Sequence, residues 1–145
     1  MLIAVINGPN LRVVGHQAYG PETLEDIEVL MENRARKLGV DLHLMQSDHE
    51  GEIVQAINAL TEADGFIINA SAYAHTSLAI ADALAASGRP AIEVHFTNIY
   101  AREPARHTSA IAPVVWGQIA GFGYRGYLAA LDLLHDHLGE ARAAD

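Results

Sequence analysis

Three polar side chains on one face of an otherwise apolar strand are the first place in this sequence where chemistry suggests itself. In the run Ala91-Ile92-Glu93-Val94-His95-Phe96-Thr97, side chains alternate between faces, so Ile92, Val94 and Phe96 pack one way while Glu93, His95 and Thr97 share the other. Burying a carboxylate, an imidazole and a hydroxyl together costs desolvation with no apolar gain, which favours a site over packing. An imidazole beside a carboxylate can move a proton near neutral pH. Arg102 and Arg106 follow, and in a chain of net charge −9 they make a local positive patch. A guanidinium grips a small carboxylate with two parallel hydrogen bonds, so a small-molecule carboxylate is the expected substrate.

Further polar residues collect where other apolar runs end: Asn7, Asn10, Asn69 and Asn98, with Tyr19 and His75 close behind in sequence. Asn, His, Tyr and Arg together suit proton transfer beside a carbonyl, with amides holding a developing oxyanion and arginines holding a carboxylate. The serines lack the strand-turn-helix setting of a hydrolase nucleophile. No metal is expected, because His135 and His137 lie about 200° apart around a helix and the other histidines show no ligand spacing. Plainer roles stay open for single residues. Tyr19 can be a loop tyrosine beside Gly20, Asn10 a turn former after Pro9, His75 part of a helix start, Asp82 a solvated helix charge, and the arginines members of surface ion pairs.

The elements that must position these groups follow from periodicity. Leu2 to Asn7 reads as a doubly buried strand that breaks at Gly8-Pro9-Asn10. A helix is expected from Leu24, capped by Thr23 and stopped by Gly39, followed by a strand over Val40 to Met45. Ser47-Asp48-His49-Glu50 has capping-box spacing ahead of an apolar stripe at Ile53, Ala56, Ile57 and Leu60. Gly65 to Asn69 is a third strand, Ser71 to Ser87 contains a helix that stops at Gly88, and Ala91 begins the fourth strand. Ala112 to Trp116 reads as the fifth strand, and a last helix through Tyr127, Leu131 and Leu134 is expected to stop at Gly139.

Strands alternating with helices argue an α/β fold: a flavodoxin-like, doubly wound, five-stranded parallel sheet in three α/β/α layers, with ligands beyond the carboxyl ends of the strands. One catalytic domain is expected over residues 1–139 and a frayed tail over 140–145. A chain of 145 residues with 50% hydrophobic content can bury roughly 70% of its unfolded surface in such a domain. The absence of cysteine points to a reducing, cytoplasmic setting. No apolar run is long enough for a membrane span, the N-terminal residues lack a basic leader, and the acidic balance disfavours nucleic acid as a partner.

With these residues laid out, the chain resembles the type II 3-dehydroquinate dehydratases. The matching segments are Ile6-Asn7-Gly8-Pro9-Asn10-Leu11, Tyr19-Gly20, Ser47-Asp48-His49-Glu50-Gly51-Glu52, Ile68-Asn69, Ala72-Tyr73-Ala74-His75-Thr76-Ser77, Ile92-Glu93-Val94-His95, Asn98-Ile99, Ala101-Arg102-Glu103, Arg106-His107 and Gly126-Tyr127. They run in order across nearly the whole chain.

The resemblance implies anti elimination of water from 3-dehydroquinate to give 3-dehydroshikimate through an enolate, with no metal or cofactor. It implies that Tyr19 is the base, that Asn10 helps hold the enolate through an ordered water, and that His95 is the acid, with Glu93 orienting its ring. Asn69, His75, Thr97 and Arg106 grip the substrate. Arg102 favours the tyrosine phenolate, and Asp82 from a neighbouring subunit positions that arginine. Self-association as a homododecamer, a tetramer of trimers, is implied as well, in either shikimate-route biosynthesis or quinate catabolism.

Several positions depart from the family pattern. Only His16-Gln17-Ala18 lie between Gly15 and Tyr19, so the lid is shorter and its arginine has no counterpart there. A free tyrosine titrates near ~10, and poising it at neutrality takes about 4 kcal/mol of phenolate stabilisation. One nearby arginine supplies ~1–3 pH units of the ~3 required, which makes Arg12 and His16 candidates for the missing charge. The usual Pro-Gly after the strand-end asparagine is Ala70-Ser71, the arginine before the helix aspartate is Ala81, and a family histidine is Tyr100. Pro104, Ala105, Thr108 and Ala110 also differ.

Two other readings stay open: a lyase or isomerase acting on a different hydroxylated cyclic keto acid, and a catalytically weak or silent relative. A flavin protein or phospho-receiver is disfavoured, because Gly8-Pro9-Asn10-Leu11 offers no hydroxyl-rich phosphate cradle and no acidic pair follows the first strand.

Overall fold

A computed structural model of the chain describes residues 1–12 and 20–145. Five strands form one sheet: β1 (Leu2–Asn7), β2 (Asp41–Gln46), β3 (Gly65–Asn69), β4 (Ala91–His95) and β5 (Gly117–Ala120). The order is β2-β1-β3-β4-β5 and every pairing is parallel. Four helices fill the crossovers and the C-terminus: α1 (Leu24–Leu38), α2 (Glu50–Ala59), α3 (Leu78–Ser87) and α4 (Arg125–Ala144). This is the expected doubly wound α/β arrangement.

Strand alternation divides the core into two layers. Ile3, Val5, Ile67, Ile92 and Val94 pack with Leu24, Ile27 and Met31 of α1 and Leu131 and Leu134 of α4. Ala4, Ile6, Phe66, Ile68 and Ala91 pack on the opposite face with Ile53 and Ile57 of α2 and Ile80 and Leu84 of α3. Each fully buried Ile or Leu contributes about 1.5–3 kcal/mol relative to exposure, so register is strongly specified on both faces. Thr23 caps α1 through a reciprocal box with Asp26, and Gly39 ends it in the left-handed conformation at φ 69°.

Three local expectations need correction. The capping box before α2 does not form with Glu50: His49 occupies the cap, its N–H donates to Ser47 Oγ at 2.9 Å, and Ser47 pairs with Glu52 instead. The stretch Ser71 to Ser87 does contain a helix that stops at Gly88. Ser71–His75 is a 3₁₀ turn, and α3 begins only after Ser77, whose Oγ accepts from Ile80 N at 3.0 Å.

The fifth strand lies later than Ala112 to Trp116, because Pro113 has no N–H for a ladder and Ala112–Val114 instead forms a 3₁₀ turn. The final helix continues through Gly139 to Ala144 rather than stopping there, and Arg142 Nη2 donates to Asp64 Oδ1 at 2.8 Å, tying its last turns to the entry of β3.

Candidate active site

The carboxyl ends of β1, β3 and β4 open into a cavity of about 130 Å³. Asn10, Asn69, His75, His95, Thr97, Arg102 and Arg106 line it together with Pro9, Leu11, Ser71, Ala72, Phe96 and Ile99. Seven of the ten residues singled out in the sequence therefore surround one space. Glu93 stands directly behind His95. Asp82 does not join them within the chain: it sits on the exposed face of α3 and does not line the cavity. Tyr19 and His16 lie outside the described residues.

Backbone geometry explains how the strand ends converge. Gly8 N donates to Asn69 O at 2.8 Å, bringing the loop after β1 against the end of β3. A Cβ at Gly8 would lie 2.4 Å from Ala70 O, so only glycine permits this approach. Asn10 then takes φ 66°, a conformation asparagine tolerates, and its N–H donates to Asp48 Oδ1 at 2.9 Å. Hydrogen bonds from Asn10 N–H and the Gln46 amide hold the Asp48 carboxyl below the usual range. Ser71 stands at φ 53°, where a glycine would be unstrained.

The imidazole of His95 is nearly buried, at 5% exposure, and its Nε2 lies 2.7 Å from Glu93 Oε2. Burial pushes the Glu93 carboxyl up, but hydrogen bonds from His95, Ser109 and Gln118 outweigh it and leave the group below its ordinary value. An ionised Glu93 only accepts, so Nε2 donates to it and Nδ1 is the ring nitrogen available to the cavity. The His75 ring stacks on His95 with centroids 5.8 Å apart, and His75 Nδ1 donates to Thr108 O at 2.8 Å.

Thr97 lies just past the end of β4, so it reaches the cavity from a bend rather than from the strand. Beyond it, Asn98 Oδ1 accepts from Tyr100 N at 3.1 Å and starts the turns Ile99–Ala101 and Pro104–Arg106, which carry the two arginines. Glu103 joins them: Arg106 Nε lies 2.6 Å from its Oε1 and Arg102 Nε 3.7 Å from its Oε2. Arg12 points elsewhere, with its guanidinium 2.5 Å from Glu25 and 3.2 Å from Glu28. It is engaged by α1.

Residue-by-residue reading missed the groups that brace the site. Tyr127, read as part of an apolar stripe and of a matching segment but given no role, donates its hydroxyl to Asn7 Oδ1 at 2.6 Å and accepts from Asn69 Nδ2 at 3.0 Å. Burial pushes this phenol well up, which keeps it protonated and structural. Ser109 and Gln118, both bonded to Glu93, were also missed. A polar residue inside the true fifth strand, opposite Glu93, was the available signal for Gln118. Among the described residues, no group of three or more His, Asp and Glu is placed to hold a metal ion. No described helix is long and apolar enough to cross a membrane.

Fold and site together define a doubly wound α/β protein with a polar, arginine-bearing cavity at its strand ends. The profile of the family described as dehydroquinase class II matches residues 1–135. A curated 3-dehydroquinate dehydratase of Dinoroseobacter shibae is 47% identical over 148 residues, covering 99% of each chain. One from Roseiflexus castenholzii is 50% identical over 138 residues, covering 92% of this chain and 88% of its own. The crystal structure of the type II dehydroquinase from Butyrivibrio crossotus superposes with a TM-score of 0.89 at 41% identity, covering 92% of this chain and 97% of that one. This chain belongs to the class II dehydroquinase family.

Proposed function

We propose that this protein is a 3-dehydroquinate dehydratase, a hydro-lyase that removes water from 3-dehydroquinate to give 3-dehydroshikimate. The observation that carries the reading is the His95–Glu93 pair at 2.7 Å, set into a cavity that two arginines also line. Family membership supplies the substrate, which the curated relatives carry in their names.

The steps assign one group to each proton. Tyr19 takes the proton beside the ketone, and the resulting enolate oxygen is held through an ordered water by Asn10. The bond to the departing hydroxyl breaks anti to that proton as His95 Nδ1 delivers its own, so water leaves and the ring gains a double bond conjugated to the ketone. Glu93 fixes the imidazole and stabilises its charged form. Arg106, with Asn69, His75 and Thr97, grips the substrate's carboxylate and hydroxyls, in keeping with a cavity lined by a guanidinium, an amide, an imidazole and a hydroxyl. Arg102 favours the phenolate of Tyr19.

Asp82, exposed on α3, reaches the site of an adjacent subunit and positions Arg102 there, within a homododecamer built as a tetramer of trimers. The protein works in the cytoplasm on a free small-molecule carboxylate, in the shikimate route or in quinate use. Adding 3-dehydroquinate and following the ultraviolet absorbance of the conjugated enone tests the reading: a catalytic rise supports it. Binding without a rise contradicts it in favour of a silent relative, the outcome consistent with Arg12 being held by Glu25 and Glu28.

A further inference from the structure

We propose that Ser109 and Gln118 are positioning residues that hold the Glu93 carboxylate in the orientation and charge state by which it fixes the His95 ring. The inference rests on the reading of His95 as the proton donor.

Glu93 is fully buried at 0% exposure, at the centre of a strand flanked by β3 and β5. A carboxylate in such a place picks up a proton unless donors converge on it. Three do. His95 Nε2 and Gln118 Nε2 both reach Oε2, and Ser109 Oγ reaches Oε1 at 2.5 Å. Gln118 is placed by the sheet itself, because it is the direct partner of Glu93 in the β4–β5 register. Ser109 is placed by its own loop: its Oγ accepts from Ile111 N at 3.3 Å and from Ala112 N at 3.0 Å. A hydroxyl has two lone pairs and one hydrogen, so with both lone pairs occupied the hydrogen is committed to Glu93.

The consequence reaches the cavity. An ionised Glu93 obliges His95 to point Nε2–H at it and leaves Nδ1 for the substrate. A protonated Glu93 donates to Nε2 instead and reverses the ring's tautomer. Of the described groups that face Glu93, His95 from β4 is titratable, whereas Ser109 from the loop before β5 and Gln118 from β5 are uncharged. His75 from the 3₁₀ turn stands one ring further out, stacked on His95.

The test is a carbon-13 carboxyl NMR titration of the ligand-free protein, with the Glu93 resonance assigned by its loss in Glu93→Gln. Gln118→Leu and Ser109→Ala are each expected to raise the Glu93 midpoint, and the double variant to raise it further. Ser109→Thr, which keeps the hydroxyl, is expected to restore it. Gln118→Met provides a near-isosteric second variant should Gln118→Leu fail to fold. In the double variant kcat at pH 5, taken relative to pH 8, falls about tenfold below the wild-type ratio, while KM at pH 8 is nearly unchanged.

Folded variants whose Glu93 midpoint stays at the wild-type position overturn the proposal. The NMR readout needs no turnover. A wild-type protein inactive on 3-dehydroquinate, with variants that still shift Glu93, defeats the functional reading and leaves standing only the positioning of Glu93 by Ser109 and Gln118.

Discussion

The hydroxyl of Tyr127 and the side-chain oxygen of Asn7 are joined by a hydrogen bond of 2.6 Å across 120 residues of sequence. The same hydroxyl accepts from Asn69 Nδ2 at 3.0 Å, so a single buried phenol on α4 ties the carboxyl ends of β1 and β3 together beneath the cavity. Asn69 Oδ1 in turn accepts from Ser71 N at 3.1 Å, which spends that oxygen on the loop and fixes the amide plane.

Tyr127→Phe removes the donor that Asn7 Oδ1 has among the described residues and takes a hydrogen-bond partner from this buried acceptor. An unsatisfied buried group costs about 1–3 kcal/mol, so the melting temperature is expected to fall by about 3–10 °C. Calorimetry of the two proteins checks this, and an unchanged Tm contradicts it.

Two neighbouring backbone positions are expected to respond in opposite directions. Gly8→Ala forces a Cβ to within 2.4 Å of Ala70 O, a backbone overlap costing about 1–3 kcal/mol or more. Ser71→Gly relieves a left-handed serine at φ 53°. That relief of about 1–2 kcal/mol is partly offset by the entropy of the added glycine. Urea unfolding should place the alanine variant below wild type and the glycine variant at or above it.

The acid limb of stability follows from Glu93. Its folded-state value lies below the ordinary 4.5, so the carboxylate's contribution is fully present above that ordinary value and is lost as pH falls through the lower folded one. Wild type is therefore expected to lose stability more steeply than Glu93→Gln over that acid interval. Urea midpoints measured from pH 6 downward decide it; parallel curves count against the assignment.

Arg106 carries the anion side of the proposed site. Arg106→Ala is expected to raise KM by about 10–100-fold, the equivalent of a lost charge-assisted hydrogen bond of about 1.5–3 kcal/mol. It is also expected to alter kcat less than KM. Steady-state kinetics separates the two, and an unchanged KM shows that the guanidinium does not meet the substrate.

Much of this was legible in the sequence because the core signals are local and redundant. Apolar runs at Leu2–Asn7, Gly65–Asn69 and Ala91–His95 bury both faces, and Thr23 and Gly39 mark the ends of α1 through cap chemistry. The fifth strand was misplaced because an apolar run of the right length contains a proline, whereas the true strand, Gly117–Ala120, is short and only partly buried. Gly139 did not end α4, where a tertiary ion pair from Arg142 to Asp64 holds the later turns. His95, Glu93 and the arginines were visible because their types are costly on an apolar background. Tyr127, Ser109 and Gln118 were not, since Tyr127 bonds partners 58 and 120 residues distant, and Ser109 and Gln118 reach Glu93 from 16 and 25 residues away.

The division of labour between Tyr19 and His95 is tested most directly by proton NMR of 3-dehydroquinate in deuterium oxide, following loss of the hydrogen beside the ketone and formation of product in the same tube. With His95→Ala, exchange at that carbon is expected to persist while elimination slows by about 10²–10⁴-fold, and with Tyr19→Phe both are expected to collapse. Elimination at the wild-type rate in His95→Ala, or undiminished exchange in Tyr19→Phe, contradicts the assignment.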